Sequence, residues 1–144
     1  MSMPIVLKGR VLSFNGNPSV EGSQTISFWE RGVIIIEGGL ISAVGDDISI
    51  PETARISDYG EHLICAGFVD GHAHYPQINI MASYGTQLLD WLTTYTFPEE
   101  MNFSDPSIAR AASRFFLDEL LRNGFTTAAV YCTSHPTSVD AFFT

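Results

Sequence analysis

The spacing of apolar residues changes character near position 65. Before it, they come in short, largely β-branched runs: Ile5-Val6-Leu7, Val11-Leu12-Ser13-Phe14, Thr25-Ile26-Ser27-Phe28-Trp29, Val33-Ile34-Ile35-Ile36-Glu37 and Leu40-Ile41-Ser42-Ala43-Val44. Such runs between clusters of turn formers predict strands. Asn15-Gly16-Asn17-Pro18 predicts a turn after the first of them. Gly38-Gly39 predicts a tight hairpin, because a type I′ turn needs φ > 0 at both central positions. Pro51 opens a loop, and Asp58-Tyr59-Gly60 predicts another turn before Leu63-Ile64-Cys65. Residues 1–64 therefore read as a small β-sandwich, with Phe14, Phe28 and Trp29 in its core and no catalytic group.

From residue 65 onward the periods alternate between strand and helix. Phe68-Val69 leads a strand that ends in His72-Ala73-His74, its second face lined by Val69, Gly71 and Ala73. A strand covered on both faces, with polar groups at its C-terminal end, suits a parallel α/β sheet or barrel. Leu88-Leu89-Asp90-Trp91-Leu92 predicts a short helix ended by Phe97-Pro98. A longer helix is bounded by Asp105 as N-cap, Pro106 in its first position and Asn123-Gly124 as its stop. Ile108, Ala111, Ala112, Phe115 and Leu120 give it an apolar stripe. Phe125-Thr126-Thr127-Ala128-Ala129-Val130-Tyr131-Cys132 predicts a second buried strand, and residues 138–143 the opening turns of a further helix. This is one βαβ unit, with a right-handed crossover as the usual connection. Eight such units close a TIM (β/α)8 barrel of about 250 residues. The expected fold class is α/β: a β-sandwich over 1–64, then a truncated barrel over 65–144 whose remainder lies elsewhere.

Composition narrows the classes of function. The chain has 144 residues, 45% hydrophobic and 16% charged, as befits a well-buried globular protein. Its net charge of −9 and lack of a basic cluster argue against a nucleic-acid partner. Cys65 and Cys132 have neither metal nor redox spacing and read as buried free thiols in a reducing compartment. Lys8 and Arg10 fall inside the first apolar run, unlike a signal peptide, and no apolar run reaches the length of a membrane span. A cytoplasmic protein with no membrane partner is expected.

The candidate chemistry lies at the end of the strand near residue 70. Side chains two apart on a strand share a face, so Phe68, Asp70, His72 and His74 line up and the two imidazoles can converge on one divalent ion. The plain alternative is a pair of hydrogen-bonded polar residues at a strand end. His135 follows the next strand, where either a site or a solvent-exposed loop suits it, while His62 reads as structural. Glu99 and Glu100 beside Pro98, and Glu119 on the outer helix, are not drafted as acids or bases.

With these residues laid out, the chain resembles the amidohydrolase superfamily, in which a β-module precedes Pro-Gly-Phe-x-Asp-x-His-x-His on the first barrel strand. That motif stands here as Ala66-Gly67-Phe68-Val69-Asp70-Gly71-His72-Ala73-His74, with Ala66 for the usual Pro and Gly71 where Thr or Ser is common. Tyr75-Pro76-Gln77, the Gln87-to-Glu99 stretch with Trp91-Leu92-Thr93-Thr94-Tyr95-Thr96-Phe97-Pro98, and Phe116-Leu117-Asp118-Glu119-Leu120-Leu121-Arg122-Asn123-Gly124 look like the branch that deaminates guanine. The resemblance implies a zinc site with His72 and His74 as two ligands, and hydrolysis of guanine to xanthine and ammonia. It implies purine contacts along His74, Tyr75, Pro76 and Gln77. Trp91 either stacks on the base or packs in its helix, and Asp70 is either an outer partner of the metal ligands or a buried structural carboxylate. The remaining ligands and the proton-transferring Glu would lie beyond Thr144, leaving no catalytic residue in this chain. Family members of this type are commonly homodimers. Hydrolysis of another ring amine or cyclic amide, or a non-enzymatic assembly piece, are the competing readings.

Overall fold

Ten residues of extended chain, β1 (Ile5–Phe14), form the spine of the first unit in the computed structural model, which describes residues 3–144. A short helix, α1 (Pro18–Glu21), follows, with the Asn17 side chain accepting from the Ser19 amide 3.0 Å away. β2 (Ile26–Glu37) then runs antiparallel to β1, and β3 (Leu40–Gly45) returns against β2. Gly38 and Gly39 sit at φ of 60° and 84°, so the expected hairpin forms with both central residues left-handed. β4 (Arg55–Cys65) closes the sheet parallel to β1, giving the order β3-β2-β1-β4.

The described residues of this unit form one four-stranded sheet where two facing sheets were expected. The reason is local. Runs that look separate in sequence are joined through irregularities: the β1–β2 register shifts between Gly9 and Val11, and the β1–β4 register between Lys8 and Arg10. The turn expected at residues 58–60 is absorbed into β4, where the Asp58 carboxylate accepts from the Gly60 amide at 2.8 Å and Gly60 takes φ of 58°. Val6, Val33 and Ile35 form the core, covered by Ala43, Ile48, Ile50 and Ala54. Phe14 and Phe28 lie outside it, half-exposed at 51% and 50%. The Cys65 thiol is likewise exposed, not buried.

Gly67–Thr144 is the second compact unit, and the first runs to Ala66. β5 (Phe68–His74) pairs in parallel with β6 (Phe125–Tyr131). Between them lie α2 (Leu88–Trp91), α3 (Phe97–Met101) and α4 (Pro106–Arg122); α5 (Pro136–Phe142) follows β6. The caps of α4 are those read from sequence: Asp105 accepts from the Ser107 amide at 2.7 Å, and Gly124 leaves the helix at φ of 83°. α5 begins two residues earlier than expected, with Pro136 in its first turn.

Phe97-Pro98 does not end the helical stretch. A π-helical turn, Leu92–Thr96, links α2 to α3, and the Phe97 amide reaches back five residues to the Leu92 carbonyl. Proline lacks the N–H that the next α-helical bond needs, and the widened turn absorbs that defect without a break. The core of this unit is Tyr75, Phe103, Ala109, Ala112 and Ala141, flanked by Phe116, Val130, Cys132 and Phe142. β5 is not covered on both faces, because Phe68 and Val69 are 57% and 69% exposed. The fold is thus mixed α/β with a parallel βαβ unit. No helix among the described residues is long and apolar enough to cross a membrane.

Candidate functional site

The pairing of β5 with β6 slips where the histidines begin. Asp70 pairs with Ala128 and Ala73 with Val130, so three steps on β5 face two on β6. The extra residue is a β-bulge at Gly71-His72, a feature that re-aims side chains. It also frees the His72 amide, which donates to Oδ1 of Asp70 at 3.0 Å. Asp70 thus supports the backbone of the bulge, and its hydrogen bond goes to that amide, not to an imidazole.

Beyond the bulge the rings converge. His72 Nε2 and His74 Nε2 stand 3.0 Å apart, with ring centroids separated by 5.0 Å. Two ligands of a tetrahedral zinc at 2.0–2.1 Å are about 3.3 Å from each other, so the pair fits two adjacent corners of such a site. Neutral imidazole is also an apt donor for a borderline metal. No group of three or more His, Cys, Asp and Glu side chains suited to a metal occurs among the described residues. Tyr131 forms the wall beside the pair, stacked on His74 at 4.8 Å and 12° and tilted 4.7 Å from His72. Nothing in the motif points to Tyr131. Only the parallel register, which sets it opposite His74, does so.

The next turn carries Gln77 on a 3-10 segment, Tyr75–Ile80. Its Nε2 donates to Oε1 of Glu100 at 3.1 Å and lies 3.4 Å from His74 Nδ1. Glu100, set aside in the sequence as a neighbour of a loop proline, is therefore joined to the site. Pro98 lies in the first turn of α3, so that helix carries Glu100 across to the 3-10 segment. Glu99 accepts in parallel from Asn79 at 2.7 Å.

Other expected site residues are placed elsewhere. Tyr75 and Pro76 are fully buried. The Tyr75 ring packs against Phe103 at 5.4 Å and Phe142 at 5.2 Å, and its hydroxyl donates to the Ser138 carbonyl at 2.6 Å. Burial pushes its phenol up to about 12. Both side chains are core, because a 3-10 turn rotates successive residues by about a third of a circle and sends these two under the helices. Trp91 donates from Nε1 to the Ser83 carbonyl at 3.0 Å and packs on Gly85, where an added Cβ would stand 2.8 Å from its own Cβ. It anchors the 81–87 loop. His135 precedes α5 with its amide on Thr133 Oγ1 at 3.1 Å, and its Nε2 is buried without a hydrogen-bond partner among the described residues. His62 holds the Tyr59 carbonyl at 2.7 Å from Nδ1, within the first unit. Glu119 pairs with Arg122 on α4.

Comparison with known proteins identifies relatives of the chain. The chain is 46% identical to guanine deaminase of Escherichia coli over 131 residues, which is 88% of this chain and 30% of that protein. A solved structure of E. coli guanine deaminase superposes with a TM-score of 0.87 at 38% identity, over 99% of this chain and 33% of that one. Guanine deaminase from C. acetobutylicum, solved with bound guanine in the active site, gives 0.83 at 27% identity, over 97% and 32%. The chain thus spans about a third of the length of the relatives it matches. The family model described as "Amidohydrolase family" matches residues 63–143, the stretch that carries the βαβ unit, the histidine pair and Gln77; the chain belongs to that family.

Proposed function

We propose that this chain supplies two metal-binding histidines and a substrate-contacting glutamine to an aminohydrolase that converts guanine to xanthine and ammonia. The observation that carries the reading is the 3.0 Å approach of His72 Nε2 to His74 Nε2, one turn before Gln77. His72 and His74 would hold the ion, which their donor chemistry favours as zinc, within a (β/α)8 barrel begun by β5 and β6. When bound, that ion supplies Lewis-acid activation of water. The chain's own residues orient the base: the amide of Gln77 carries a donor, which Glu100 engages, and an acceptor suited to a ring N–H of a purine. Tyr131 limits the swing of both imidazoles, and the bulge fixes their angle. The enzyme would act as a homodimer in the cytoplasm, where unpaired thiols such as Cys65 and Cys132 persist.

The test is hydrolysis by protein expressed from the complete reading frame, read as ammonia release for guanine and adenine and as ring opening to a carboxylate for cyclic amides. Turnover of guanine in preference to the others is expected, with about one ion per chain. His72→Ala and His74→Ala should each lower kcat by about a thousandfold or more and empty the metal site. Ring opening of a cyclic amide, or ammonia from another ring amine, with no ammonia from guanine, would transfer the reading to that substrate.

A further inference from the structure

Gln77 can present its amide in two ways, related by half a turn about its last bond. Which way it faces decides whether a ligand meets an acceptor or a donor. Ligation of His74 through Nε2 leaves the ring proton on Nδ1, which then faces the Gln77 nitrogen at 3.4 Å, donor against donor. Left to itself, the amide would turn its oxygen to that N–H and spend its acceptor on the protein. Glu100 opposes this turn. A carboxylate offers only acceptors, so its Oε1 at 3.1 Å requires the nitrogen of Gln77 and repels the oxygen.

The arm that delivers Glu100 is firmly seated. α3 lies between Thr96 and Phe103, both almost fully buried, and a second contact, Glu99 with Asn79 at 2.7 Å, ties the same two segments. We propose that Glu100 is the positioning residue for Gln77, holding its nitrogen inward so that Oε1 remains as the acceptor for a ring N–H of the substrate. The identity of the substrate as a purine base rests on the function proposed above. The orientation of the amide does not.

Three variants of the full reading-frame protein test this. Glu100→Gln is isosteric but can face Gln77 with either oxygen or nitrogen, so the orientation is lost. KM for guanine should rise about tenfold or more while kcat changes less than about threefold. Glu99→Gln, which weakens the bonds to Asn79 and Asn102 and leaves the Glu100 contact in place, should leave KM within about twofold. Glu100→Asp, still acceptor-only on a shorter arm, should recover part of the loss. A KM within twofold for Glu100→Gln overturns the proposal, as does an equal rise in Glu99→Gln, which would make the clasp merely structural. A readout free of metal and substrate is a thermal double-mutant cycle on chelated protein with Gln77→Ala and Glu100→Ala. The double variant should lose about 2 °C less in Tm than the sum of the singles. Additive losses overturn the positioning role whatever the substrate. Coupled losses in a protein inert toward guanine sink the guanine reading and leave the positioning role standing.

Discussion

His74 illustrates how much of a site can be set by backbone. Its ring direction follows from a one-residue bulge, an Asp70 carboxylate bound to the His72 amide, and the face of Tyr131. The two glycines of the motif play opposite parts. A Cβ at Gly67 would stand 2.1 Å from Thr126 Oγ1, whereas one at Gly71 would meet nothing within 4 Å. Gly67→Ala should therefore cost about 1–3 kcal/mol in chemical denaturation, and Gly71→Ala less than about 0.5 kcal/mol. Loss at Gly71 equal to that at Gly67 would contradict the clearance. The histidine spacing itself was legible in the sequence, because period two is a property of any strand. Tyr131 and Glu100 were not, since each arrives from a different element through register or helix direction that no local pattern records.

Elements were legible where their signals are local and were misjudged where a neighbour decides. α4 carries its own cap at Asp105 and its own stop at Gly124, and sequence and structure agree on both ends. The strands of the first unit look separate because Gly9, Gly32 and Gly60 interrupt the apolar runs, yet hydrogen bonding carries β1, β2 and β4 past those points. Pro98 is the opposite case, a strong stop signal that the π-helical turn overrides. That turn is one residue longer than an α-helical path, so it sets the rotation of everything after it by about 100°. Deleting Thr94 should restore the α period, carry Glu99 and Glu100 off the 3-10 segment, and raise KM for guanine as Glu100→Gln does. An unchanged KM would show that the turn has no part in aiming them.

At the scale of the molecule, the second unit is held by one aromatic knot around Tyr75, and its protonation should be visible in global stability. The folded phenol is pushed from the ordinary value of 10.0 up to about 12, so folding favours its neutral form. That contribution is complete below pH 10 and is lost as pH rises from about 10 through 12. The Cys132 thiol, also pushed up by burial, adds a loss of the same sign from its ordinary range upward. Denaturant midpoints should fall across this window, and Tyr75→Phe should flatten the upper part of the fall; an identical slope in the variant would remove Tyr75 as its source. The mixed α/β class was legible from the alternation of periods, but the layering of the first unit and the degree of cover were not, because both depend on neighbours beyond the strand itself. Among the described residues β5 and β6 alone stand in the parallel sheet, with Phe68, Val69 and Tyr131 open on it. Both strands are therefore edge strands beside exposed apolar side chains, the kind of surface on which strands self-associate. Self-association through such edges is concentration-dependent, so the sedimentation coefficient of the 144-residue stretch should rise with its concentration.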